Sequence, residues 1–272
     1  MKIGFFDSGI GGMTVLNQAL RLLPNEDYIY YADTLHVPYG EKPKEVVKEH
    51  ILKASDFIAK QDVKALVIAC NTATSIAVKD LRQKYDFPII GIEPAVKPAV
   101  QISEGKLKKV LVLATRLTLA EEKFHTLVKN VDKHDIVDYL PMPGLVEFAE
   151  NFEFREEIVI PYLRQQLSQF DLTQYGTIVL GCTHFSYFRE SLSKQFSEDV
   201  DIIDGSIGTV KNLKRILESS NKLNEGSGNI SIFDSGYKVL DQDSLSNYIK
   251  LLEVLGNVHT NYHINNEQLE LI

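Results

Sequence analysis

Two stretches of the chain, VIACNTAT at residues 67–74 and VLGCTHFS at 179–186, hold its two cysteines, Cys70 and Cys182. Each cysteine closes a run of strand-forming apolar residues and is followed at once by Asn-Thr or Thr-His. Asn71, Thr72 and Thr74 are helix-capping types, so the peptide N–H groups after Cys70 should point beyond the strand end, where they favour a carboxylate ligand and a thiolate over a thiol. A thiol serving only as a small buried hydrophobe has no need of such a polar sequel, and here the sequel occurs twice. Two thiols on opposite sides of one carbon suit a particular task. One removes a proton from one face, the other delivers a proton to the opposite face, and the stereocentre inverts. A single base returns its proton to the face it came from. The α-hydrogen of an amino acid is a weak acid, so the carbanion needs help. Helix-terminal N–H groups and hydroxyls around the α-carboxylate, in a closed cavity, would supply part of it. No lysine in these motifs offers a Schiff base to pyridoxal phosphate.

Two further segments, and the histidine beside the second cysteine, carry chemistry-bearing residues. FDSGIGG (6–12) ends a strand with Asp7 and Ser8, an anion and a hydroxyl, followed by glycines that permit close backbone approach to a small ligand. As a dinucleotide loop it is weakly supported, because Thr14 stands where the third glycine of GxGxxG belongs. The plainer alternative is a glycine-rich turn with Asp7 as helix cap. His184 lies two residues after Cys182, within reach of the same cavity. VPYGEK (37–42) places Pro38, Tyr39 and Gly40 in a loop, and FDSG at 233–236 reads as an ordinary turn. A cysteine hydrolase with Cys182 as nucleophile and His184 as base, or a non-catalytic pair of binding lobes, fits the same residues at this point.

Positioning such groups requires strand ends, and the chain supplies them regularly. KIGFFD (2–7), DYIYYAD (27–33), KALVIAC (64–70), FPIIGI (87–92), KKVLVLAT (108–115), HDIVDYL (134–140), GTIVLGC (176–182) and DVDIIDG (199–205) alternate with helical patterns such as KEVVKEHILKASDFIAKQ (44–61). That alternation predicts an α/β fold with largely parallel sheets, whose ligands gather at the carboxyl ends of the strands. The pair KIGFFD and ALVIAC resembles the later pair KVLVLAT and TIVLGC, so the expectation is two pseudo-symmetric α/β domains with the site in the cleft between them. The first lobe is expected from 1–95 plus 208–272 and the second from 96–207, with 92–109 as the crossing and GSIGTV (205–210) as the return.

Bulk properties exclude several classes. A formal charge of −8 without a basic block argues against nucleic-acid binding, and no apolar run approaches the length of a membrane span. The cysteine pair lacks metal-ligand spacing, so free thiols in a cytoplasmic protein are expected, with no metal.

FDSGIGG, ADTLHVPYGEK, ACNTAT and LGCTHF, in this order over nearly the whole chain, resemble the signature segments of the bacterial glutamate racemases, within the cofactor-independent aspartate/glutamate racemase superfamily. The resemblance implies racemisation of glutamate without a cofactor, supplying D-glutamate for peptidoglycan, in an enzyme that is often a homodimer. It implies Cys70 as the base serving D-glutamate and Cys182 as the base serving L-glutamate, assisted by Asp7 and His184. Ser8, Pro38, Tyr39, Gly40, Asn71, Thr72, Thr183 and Glu147 match positions that contact or polarise substrate. The chain reads ATRLTLAEEKF where many relatives carry a glycine-threonine repeat, leaving Thr115 and Thr118 as the equivalents. A sister racemase acting on aspartate would share both thiols.

Overall fold

Runs rich in Val, Ile, Tyr and Phe alternate with amphipathic runs, and each apolar run becomes a strand that can be buried on both faces. The computed structural model describes residues 1–224 and 227–256. Its strands are β1 (Lys2–Asp7), β2 (Tyr28–Ala32), β3 (Val63–Ile68), β4 (Ile89–Gly91), β5 (Lys109–Ala114), β6 (Val137–Pro141), β7 (Tyr175–Leu180), β8 (Asp201–Asp204), β9 (Ile230–Asp234) and β10 (Tyr237–Lys238). They form two sheets, ordered β10-β9-β2-β1-β3-β4 and β6-β5-β7-β8. All pairings are parallel except β9 with β10.

The internal likeness of the sequence is a likeness of register. β1 lies between β2 and β3 as β5 lies between β6 and β7, and the ladder slips at the first residue of each central strand, between Lys2 and Ile3 and again between Lys109 and Val110. The Ala69 N–H donates to Phe6 O at 2.8 Å, and the Gly181 N–H donates to Leu113 O at 2.7 Å, so each cysteine is held one residue past an equivalent last rung.

The chain leaves the first sheet after β4 and returns to it at β9. The crossing expected at 92–109 is largely a helix, Val96–Lys106, which packs on β5 and β7. Pro98 lies in its first turn, where its missing N–H costs no bond. The return expected at 205–210 is the start of another helix, Ser206–Ser219, lying against helix Met13–Leu22 of the first sheet. One cluster of buried side chains runs through both sheets, joining Phe5 and Tyr30 to Leu113, Met142 and Phe185. The FDSG at 233–236 turns the chain from β9 into β10, with Ser235 at φ 48° and Gly236 at φ 96°. Residues 257–272 of the expected first lobe lie outside the described residues. Among the described residues no helix is long and apolar enough to cross a membrane.

Candidate active site

Cys70 caps the helix Asn71–Lys84, and its sulfur accepts the Ala73 N–H at 3.4 Å. The position follows from sequence, since β3 ends at Ile68 and the polar Asn71-Thr72 pair opens the helix. Cys182 occupies the matching place after β7, ahead of the 3-10 turn Thr183–Phe188. Both thiols are free and buried, and both line one cavity of about 380 Å³ of empty space including its mouth. Ser8, Pro38, Tyr39, Gly40, Asn71, Thr72 and His184 share the wall with them, as does Thr115. Asp7 and Thr183 lie behind the wall, where the Thr183 hydroxyl donates to Asp7 Oδ2 at 3.2 Å and the Gly9 N–H donates to Oδ1 at 2.9 Å.

The two thiols have different neighbours. Cys70 Sγ lies 3.7 Å from Ser8 Oγ, and burial, reinforced by the negative charge of Asp7, pushes its thiol up to about 12. Cys182 Sγ lies 3.6 Å from His184 Nδ1. Burial of His184 opposes its protonation, but hydrogen bonds to Cys182 and Glu150 outweigh burial and raise the imidazole well above its usual range. Asp7 is raised by burial, against the lowering pull of His184 and the Gly9 N–H.

Glu150, the last residue of helix Pro143–Glu150, is a residue of the junction that sequence reasoning did not name. Its Oε1 sits 2.6 Å from His184 Nε2 and accepts the Ile10 N–H of the other lobe at 2.9 Å. Glu147, expected at the site, is exposed and outside the cavity wall. The helix turns Leu145, Val146 and Ala149 inward and leaves Glu147 facing water, so only its terminal carboxylate reaches the junction. No local motif marks Glu150, because its partners come from two other segments. The close approach allowed by the DSGIGG glycines is made by these side chains of the second lobe. A Cβ on Gly9 would stand 1.8 Å from Glu150 Oε1, and one on Gly11 would stand 2.4 Å from His184 Nδ1.

Thr72, Thr115 and Thr118 close a triangle of hydroxyls with edges of 2.9, 3.0 and 2.9 Å, joining the two lobes beneath the cavity. Asn71 Oδ1 is buried with no partner. An orphaned buried acceptor is costly, so this carbonyl oxygen is a place for a donor from a ligand. Glu41 of the cavity wall pairs with Arg116 at 2.7 Å, and Lys44 pairs with Glu121 at 2.7 Å, both across the lobes.

Residues 13–212 match the Asp/Glu/hydantoin racemase family. The chain is 62% identical to glutamate racemase 2 of Bacillus subtilis over 262 residues, covering 96% of this chain and 99% of that one. It is 58% identical to the glutamate racemase of Halothermothrix orenii, covering 93% and 99%. Among solved structures, the glutamate racemase of Francisella tularensis in complex with D-glutamate superposes with a TM-score of 0.77 at 28% identity, covering 96% of this chain and 95% of that one.

Proposed function

The chain belongs to the Asp/Glu/hydantoin racemase family, and from that premise we propose that it interconverts L- and D-glutamate by a two-thiol mechanism needing no cofactor. The observation that carries this reading is the meeting of Cys70 and Cys182, one from each lobe, in the wall of one small cavity. In the L-to-D direction Cys182, as thiolate, takes the α-hydrogen, and Cys70, as thiol, gives its proton to the opposite face. A protonated His184 donates to the Cys182 sulfur and supplies the countercharge; Glu150 holds that imidazole in place. Cys70, with its thiol raised by burial and by Asp7, rests as the proton donor.

The orphaned Asn71 oxygen accepts from the substrate ammonium, which removes its desolvation cost on binding. Amides at the start of helix Asn71–Lys84 and the hydroxyls of Ser8 and Thr72 face a substrate carboxylate and the charge that develops beside it. Tyr39, Pro38 and Gly40 close the opposite wall. The reading extends, from the same resemblance, to a cytoplasmic homodimer that supplies D-glutamate for peptidoglycan; light scattering of the purified chain tests the dimer.

The direct test is circular dichroism of L-glutamate with dialysed protein in chelator and no added cofactor. The optical signal should decay to zero, and L-aspartate should hold its signal on the same time scale. A reaction that starts only when pyridoxal phosphate or metal is added, or that releases ammonia, would refute the proposal.

A further inference from the structure

Outside that chemistry, one cluster of side chains has the donor set of a metal site. Asp33 follows β2, His36 ends the 3-10 turn Thr34–His36, and His50 lies on helix Lys44–Ala59. Asp33 Oδ1 is 2.8 Å from His36 Nδ1, and the rings of His36 and His50 stack with centroids 3.7 Å apart and planes inclined by 22°. One donor atom from each of the three residues lies within 4.8 Å of the other two, the one such group of His, Cys, Asp and Glu found among the described residues. Asp33 is buried while the His36 side chain is 39% exposed, so the cluster is anchored at one end and open to ions at the other.

We propose that Asp33, His36 and His50 bind a divalent transition-metal ion of the zinc class, with the remaining position taken by water. Two imidazoles and a carboxylate suit such an ion, whereas magnesium and calcium prefer all-oxygen shells. Bonds of about 2.0–2.1 Å separate tetrahedral ligands by roughly 3.4 Å, so on binding the 2.8 Å Asp33–His36 hydrogen bond gives way to metal bonds and one ring turns out of the stack to bring both imidazole lone pairs onto the ion. The second oxygen of Asp33 accepts the Tyr39 hydroxyl at 2.5 Å, which fixes the carboxylate as outer partners fix metal ligands elsewhere. Tyr39 lines the thiol cavity, so the ion sits behind the cavity wall and takes no part in proton transfer. The site is therefore independent of the racemase reading, and its test uses no turnover measurement.

The untagged full chain, stripped with chelator and dialysed, is titrated with Zn²⁺ by calorimetry and with Co²⁺ by visible absorption. One equivalent should bind, Co²⁺ should develop the intense bands of a four-coordinate site, and Zn²⁺ should raise the melting temperature. His36→Ala and His50→Ala should each weaken binding at least tenfold, with folding checked by far-ultraviolet circular dichroism, while His134→Ala on the other lobe should not. Ring ¹⁵N spectra of the parent chain need no variant, and two histidines should shift on adding Zn²⁺. Absence of saturable binding, ring shifts confined to other histidines, or binding that survives both histidine variants and disappears in Cys182→Ala would overturn the proposal.

Discussion

At the scale of single residues, the proposed two-thiol reading gives each thiol one face of the α-carbon, and each can be removed separately. Cys182→Ala should abolish inversion while Cys70 still exchanges the α-hydrogen of D-glutamate with solvent. In heavy water this variant should place deuterium in D-glutamate with retention and leave L-glutamate unlabelled; Cys70→Ala should do the reverse. Proton NMR of the α-hydrogen decides it, and equal labelling of both enantiomers by either variant would refute separate faces. Glu150→Gln tests the support of His184. Losing the carboxylate charge lowers the imidazole pKa, so the alkaline limb of the kcat profile should move to lower pH, with kcat down roughly tenfold to a hundredfold, as expected of a misplaced catalytic group. The stability difference has a fixed sign. His184 has a raised folded pKa, so its contribution is fully present below its unfolded value of about 6.5 and is lost as pH rises through the folded one. Urea melts of parent and variant should therefore differ most between about pH 5 and 6.5 and converge only as the pH passes the raised folded value. Cys70, Cys182, Asp7, Ser8 and His184 were legible because each sits inside a short motif at a strand end. Glu150 was not, since it meets His184 and Ile10 only after three distant segments pack; Glu147, named from the resemblance, lies three residues before it on the exposed side of the same helix.

At the scale of elements, the strand-end junctions were legible and the connections less so. Runs of Val, Ile, Leu and Tyr located β1 to β8 to within a few residues, because a strand buried on both faces admits little else. Residues 92–109 and 205–210 were expected as the crossing between the lobes and the return; that both run into helices was not legible, because a proline in a first turn and glycines at a helix start disturb no bond the helix needs. The glycines of FDSGIGG bear on lobe packing, which gives a prediction with an internal control. Gly11→Ala would drive a methyl group to 2.4 Å from His184, and we expect a loss of about 1–3 kcal/mol with racemisation falling further still. Gly105→Ala meets nothing within 4 Å and lies in helix Val96–Lys106, so it should be neutral or gain up to about 1 kcal/mol. Chemical denaturation of the two variants measures both, and equal stability would remove the packing role from Gly11.

At the scale of the whole molecule, two similar lobes bring equivalent junctions together but surround them unequally. One sulfur has Ser8 and the field of Asp7; the other has His184 backed by Glu150. The internal repeat made the pairing of the cysteines legible. The inequality was hidden, because it arises from side chains that cross between the lobes. Of the ion pairs across the lobes, Glu41 with Arg116 joins exposed or half-exposed partners, so water and salt weaken it, whereas Lys44 meets a buried Glu121. What the unequal thiols cannot do is favour one product. Mirror-image molecules have the same free energy in water, and a catalyst leaves that equality untouched. The ratio kcat/KM must therefore be identical for L- and D-glutamate, however different the two sulfurs are. Any advantage of the Cys182 side in turnover has to be matched by a proportionally higher KM, so saturating rates in the two directions should diverge while their specificity constants coincide.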